Sequence, residues 1–168
     1  MKRNKSYLNE DIKVYKASDF VNEHEAFVKI VSNAYNITDD ACTSYLNYFK
    51  WYWEKVVPNI LKGTRDVIIV TVNGEMAGVT IVKKEDKERK LCTIFVIPEY
   101  RDRKITTKLL EESFAFLETT TPLVTISEDK LDMFQGIIKK YNWKETQVLP
   151  KGYYNDTYKE IVFNGFIN

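Results

Sequence analysis

The sequence predicts one α+β domain built on a mixed central β-sheet flanked by helices, in the order β-α-α-β-β-β-α-β-α-β-β. Three observations carry this reading. The 168 residues suit a single domain with a sizeable core, and no Pro-, Gly- or Ser-rich stretch or repeat divides residues 1–168. Two apolar runs flank Asn73-Gly74, a strong hairpin signal. A third apolar run, an amphipathic helical stretch and a fourth apolar run then form a βαβ unit, whose two strands are parallel.

In chain order, residues 11–17 read as a strand, with Ile12, Val14 and Tyr15 apolar, and Ser18-Asp19 as an N-cap pair for a helix over 20–35. Thr38-Asp39-Asp40 caps a second helix over 41–57, where Pro58 lacks the N–H that a helix interior needs and ends or kinks it. That second helix carries Tyr45, Tyr48, Phe49, Trp51, Tyr52 and Trp53, too many large rings for one face. Two readings stay open: core packing with a few surface rings, or the wall of a substrate cleft, a partner surface or a second subunit of a homodimer.

Strands over 67–72 and 76–82 make the hairpin, and 91–97, stopped by Pro98, completes a meander. Ile105, Leu109, Leu110, Phe114 and Leu117 give an amphipathic helix over 105–117, followed by a short strand over 123–126. Ser127-Glu128-Asp129 opens a last helix marked by Phe134, Ile137, Ile138 and Tyr141, and strands over 143–149 and 158–166 close the chain.

Composition removes several function classes. With 44% hydrophobic and 29% charged residues the chain is neither disordered nor membrane-spanning, and its net charge of +1 supplies no field to recruit nucleic acid or an acidic membrane. No nucleic-acid or membrane partner is expected. The basic start, Met1 to Tyr7, runs into Asn9, Glu10 and Asp11 rather than an apolar stretch, so a cytoplasmic protein is expected. Cys42 and Cys92 have neither metal-ligand nor disulfide-framework spacing and are read as reduced. The single histidine, His24, leaves no zinc site to assemble, and no metal is expected.

The most informative segment is Val96-Ile97-Pro98-Glu99-Tyr100-Arg101-Asp102-Arg103-Lys104-Ile105-Thr106, where a buried strand gives way to an amphipathic helix. A helix start offers unpartnered N–H groups and the positive end of the dipole, and Arg101, Arg103 and Lys104 add cations. It reads either as an anion site or as a solvated basic turn capped by Asp102.

With these residues in view, the sequence resembles the GNAT superfamily of N-acetyltransferases: the element order matches from Ile12 to Phe166, and Val96 to Arg101 looks like that family's strand-to-helix motif. The motif continues in the family as Arg or Gln, two residues, Gly, one residue, then Gly or Ala. Arg101 matches its first position and Ile105 the apolar one, while Lys104 and Thr106 stand where small residues are usual. The resemblance implies a transfer of acetyl from acetyl-CoA to a small-molecule or peptide amine by direct attack. Under it, Arg101, Asp102, Arg103, Lys104, Ile105 and Thr106 line the pyrophosphate site, and the main chain of Ile94, Phe95 and Val96 pairs with the pantetheine arm. A backbone N–H of that strand would polarise the thioester carbonyl.

The family's tyrosine acid falls at Ile138, since Asn142-Trp143 stands where a Gly-Phe pair is usual. Tyr141, three residues on, is either a substitute acid or a core residue. Glu75 and Glu99 are candidate bases by proximity only. The departures at Lys104 and Thr106 leave a second reading, a non-catalytic module that binds CoA or acyl-CoA.

Overall fold

A computed structural model of the chain describes residues 10–43, 45–101 and 103–168. Seven strands form one sheet: β1 (Ile12–Lys16), β2 (Arg65–Val72), β3 (Glu75–Glu85), β4 (Glu88–Val96), β5 (Leu123–Ser127), β6 (Glu145–Leu149) and β7 (Glu160–Phe163), in the spatial order β1-β2-β3-β4-β5-β7-β6. Among the described residues only β4 and β5 pair in parallel. The connection between them is α4 (Ile105–Leu117), as the βαβ reading requires.

Two apolar layers sandwich this sheet. Ile105, Leu109, Leu110, Phe114 and Leu117 of α4 bury against Ile68, Val70, Val96, Val124 and Phe163 on one face, with α5 (Leu131–Lys140) packed beside them. Gly78 permits this: a Cβ there would lie 2.9 Å from both Ile105 Cγ2 and Leu109 Cδ1. On the other face, α1 (His24–Ala41) buries Phe27, Val31, Ala34 and Thr38, spaced four, three and four apart, against Val67, Ile69, Val79 and Ile81. The hairpin turn carries positive φ at both Asn73 (50°) and Gly74 (83°), as its sequence demanded.

The first helices depart from expectation. Ala17–Phe20 is a 3₁₀ turn, and Ser18 spends its N–H and its hydroxyl (2.5 Å) on the carboxylate of buried Asp66 rather than on a helix start. Helix α1 therefore begins at His24 and runs through the 38–40 segment to Ala41. Thr38 is no cap: its hydroxyl donates to the Ala34 carbonyl at 2.9 Å and accepts from Tyr48 at 2.6 Å. The second helix starts later, as α2 (Tyr48–Trp51), then widens into a π-helical segment (Tyr52–Val56), and ends as α3 (Val57–Leu61).

Pro58 explains the widening. It has no N–H to give, and its ring would meet the carbonyl four residues back, at Glu54. The wider turn, in which Val57 N–H reaches back five residues to the Tyr52 carbonyl, admits the ring without ending the helix. At the chain's end, β6 and β7 are shorter than expected, and Trp143 is buried ahead of β6 with its indole N–H on the Thr120 carbonyl at 2.9 Å. Both cysteines are free. Among the described residues no helix is long and apolar enough to cross a membrane, and no group of three or more His, Cys, Asp or Glu is placed to hold a metal.

Candidate active site

β4 and β5 pair only at Lys90–Leu123 and Leu91–Val124, although β4 continues to Val96 and β5 to Ser127. Beyond Leu91 the strands part, and the gap is a cleft of about 940 Å³ bordered by 91–96 and 124–127. Ile97 N–H bonds the Ala77 carbonyl at 2.9 Å, so alternation along the antiparallel ladder gives the Val79–Phe95 pair its hydrogen bonds as well. The polar edges of Ile94 and Val96 therefore face away from β3, into the cleft. Those of Phe95 do not: this corrects its expected main-chain role, because its peptide groups are committed to β3 although the residue borders the cleft.

A second cavity of about 210 Å³ abuts the start of α4, lined by Val96, Tyr100, Arg101, Lys104, Ile105 and Thr106. Val96, Arg101 and Thr106 line both cavities, so the two adjoin. Lys104 takes the left-handed conformation, φ 61°, at the position where glycine is usual, and its carbonyl accepts the first helical bond, from Lys108 N–H at 3.2 Å. The amides of Ile105, Thr106 and Thr107 thus have no helical partner, and among the described residues no side chain caps them. Thirteen aligned residues, three open amides and two exposed cations suit an anion such as a pyrophosphate. Arg101 also reaches back, its Nε donating to the Val96 carbonyl at 3.4 Å.

Not every expected residue converges. Arg103 pairs with Glu10 at 2.7 Å and lies over the Tyr100 ring at 5.2 Å, which takes its guanidinium out of both cavities. Asp102 lies outside the described residues. The Ile105 side chain is core, so its contribution to the cavity is main chain. Tyr141 lines neither cavity: its ring packs edge-on against Phe114 with centroids 4.9 Å apart, which makes it a packing residue and corrects its expected place as an acid. Glu75 accepts from the Tyr100 hydroxyl at 3.0 Å, and neither it nor Glu99 reaches the cleft.

The aromatic segment divides between its two readings. Tyr52 is buried and donates to the Val31 carbonyl at 2.6 Å, Tyr48 is buried yet borders the cleft together with Tyr45 and Trp51, and Phe49 is 64% exposed. Facing them are Lys90, Ser127, Lys130, Phe134 and Tyr154. Glu54, carried by the π-helical segment, also lines this cleft. Cys42 lines it too, but burial pushes its thiol up to about 11, which leaves it no nucleophile at neutral pH.

Sequence reasoning missed Glu160, which stands opposite Ser127 in the β5–β7 ladder and is wholly buried behind the cleft. The available signal was a carboxylate opening the otherwise apolar strand Glu160-Ile161-Val162-Phe163.

A family model described as Acetyltransferase (GNAT) family matches residues 25–122. Solved structures give the same fold. Ard1 from Thermoplasma volcanium is 16% identical, with 92% of this chain and 95% of that one covered at a TM-score of 0.63. The ribosomal-protein-S18-alanine N-acetyltransferase from Escherichia coli is 16% identical, with 92% and 91% covered at a TM-score of 0.58. Other matches are partial: this chain spans 64% of nourseothricin acetyltransferase, and 65% of a Bacillus anthracis acetyltransferase solved with acetyl coenzyme A (10% identity, 63% of this chain, TM-score 0.51). No curated protein sequence matches. With well over half of its residues under that family model and its sheet opened between β4 and β5, the chain belongs to the GNAT acetyltransferase family.

Proposed function

We propose that the chain moves an acetyl group from acetyl-CoA to an amine by direct attack within a ternary complex. One observation carries the reading: the cavity at the start of α4 adjoins the gap between β4 and β5, with Val96, Arg101 and Thr106 lining both. The open amides of Ile105 and Thr106, with Arg101 and Lys104, suit the pyrophosphate. The cleft-facing edge of Ile94 and the Val96 N–H, whose residue's carbonyl accepts from Arg101, suit the amide-rich pantetheine arm, and an N–H from one of them suits the oxygen of the thioester carbonyl, on which negative charge grows during attack. The thioester supplies the activated acetyl group, and Tyr45, Trp51 and Tyr154 form walls against which an acceptor is held in place.

Two measurements test this. Thermal melting with acetyl-CoA should rise, by about 2.7 kcal/mol of stabilisation at one hundred times the dissociation constant. Thiol release from acetyl-CoA should then accelerate with one of spermidine, glucosamine, an amino-acid amide or a tripeptide. A melting shift without thiol release from any of the four would instead support a CoA-binding module.

A further inference from the structure

We infer that the acceptor is a small amine that also carries an anionic group, a carboxylate or a phosphate, and that Lys90 and Lys130 hold that group. The inference rests on the transfer reading above and names the chemistry of its acceptor.

The charged side chains bordering the cleft are unequal in sign. Among the described residues, Lys50, Lys55, Lys90, Arg101 and Lys130 stand there against one carboxylate, Glu54. Lys50, Lys55, Arg101 and Glu54 are exposed, so water screens them, whereas Lys90 and Lys130 are half-buried. Neither of these two has an ion-pair partner among the described residues. Lys83 and Lys84, also half-buried, are by contrast paired, with Glu88 and Glu118, each at 2.9 Å. A partly desolvated ammonium without a counter-charge is costly, and an anion bound in the cleft offsets that cost.

Both ammoniums are also held in position. Lys90 Nζ donates to the Tyr154 hydroxyl at 3.4 Å and lies 5.4 Å from the centre of that ring. Lys130 Nζ donates to the Ala41 carbonyl at 3.2 Å and lies 5.8 Å from the centre of the Tyr45 ring. Each spends one of its three N–H donors on a neutral oxygen, which leaves two for a ligand. Tyr45 and Tyr154 border the cleft themselves, and their chain segments meet, the Leu46 N–H donating to the Tyr154 carbonyl at 2.9 Å. The two lysines thus belong to one stretch of wall.

This stretch is not a second copy of the site at the start of α4. Lys90 and Val96 lie near opposite ends of β4, about 20 Å apart along an extended strand, so Lys90 is out of reach of a pyrophosphate on the Ile105 and Thr106 amides. Charge also selects among amines. The surrounding cations disfavour an ammonium and favour the neutral amine, which is the attacking form. A polyamine has nothing to balance that repulsion; an acceptor with its own anion does.

The test is calorimetric titration of the full chain, with CoA present throughout, against two matched pairs: O-phosphoethanolamine with ethanolamine, and triglycine with triglycinamide. In at least one pair the anionic member should bind about tenfold or more tighter, as hydrogen bonds to charged groups allow. The pair that shows the preference tells phosphate from carboxylate. Lys90→Met combined with Lys130→Met should abolish the preference, and Lys90→Arg combined with Lys130→Arg should retain it, with CoA affinity unchanged in both. Should the double methionine variant fail to fold, each single methionine variant carries the readout and should lower the preference. No preference in either pair, spermidine bound more tightly than both anionic amines, or a preference that survives the methionine variants overturns the proposal. A methionine variant that loses CoA affinity also overturns it, by returning the lysines to the cofactor. The titration needs no turnover, so its failure leaves the transfer reading intact, while absent thiol release strikes the transfer reading alone.

Discussion

The Arg101 guanidinium donates to the Val96 carbonyl at 3.4 Å, so one side chain joins the start of α4 to the strand edge that borders the cleft. Replacing Arg101 and Lys104 together by alanine should weaken CoA binding about tenfold or more, since hydrogen bonds to charged groups are worth roughly 1.5 to 3 kcal/mol each. Calorimetric titration reads this directly, and an unchanged dissociation constant would remove the anion site.

Lys104→Gly is expected to stabilise the fold by about 1 kcal/mol, because a left-handed φ of 61° strains a residue with a Cβ and leaves glycine at ease. Chemical denaturation measures that gain. The same variant should bind CoA with a shallower salt dependence, one cation being gone. Tighter binding would show that backbone clearance limits the site, and weaker binding that the ammonium holds a phosphate.

Gly78→Ala should be destabilising by about 1 to 3 kcal/mol, the usual cost of an inserted methyl in a packed core. The new Cβ meets Ile105 Cγ2 and Leu109 Cδ1 at 2.9 Å and the Phe95 carbonyl at 3.3 Å, so the first turn of α4 must lift from the sheet. CoA affinity should fall with it, because the open amides move as one body with that turn. A variant with wild-type stability and affinity would contradict this packing.

The folded-state pKa of Glu160 is raised, so between the unfolded value of about 4.3 and the folded one the native state holds more protons than the unfolded chain. Its contribution to stability therefore falls as pH rises through that window. Glu160→Gln removes the effect, so the melting temperature of the variant relative to wild type should climb from acid to neutral pH. A constant offset across the range would mean an unperturbed carboxylate.

Tyr141→Phe should retain full turnover, because the ring and its contact with Phe114 survive the loss of the hydroxyl. Tyr141→Ala should lower stability by on the order of 2 kcal/mol, as loss of a half-buried ring does. Steady-state kinetics and denaturation separate these outcomes; a slow but stable Tyr141→Phe would restore its role as an acid.

What was legible in the sequence was local. Asn73-Gly74 demands positive φ at two adjacent residues, and the apolar spacing of Ile105 to Leu117 admits one helix, which the structure gives with those bounds. Long-range partners were not legible. Arg103 looked like one more phosphate ligand until Glu10, 93 residues away, claimed it. Thr38-Asp39-Asp40 has the composition of a cap, yet Tyr48 reaches Thr38 from the next helix and holds it inside α1. Glu160 found its place only when β7 paired with β5, which set it opposite Ser127. Phe95 could be assigned to β3 only once the register was known.

The widened turn at Tyr52–Val56 also makes chain length a variable in the shape of the cleft wall. A π-helical turn holds one residue more than the α-helix around it, so excising one residue would return the segment to regular pitch. Everything on its N-terminal side, Trp51 and Tyr48 included, would then swing by about 100° relative to Ile60, the angle one residue subtends on an α-helix. A single codon gained or lost there changes which rings face the cleft, so an indel would reshape this wall while leaving β4, β5 and the start of α4 in place.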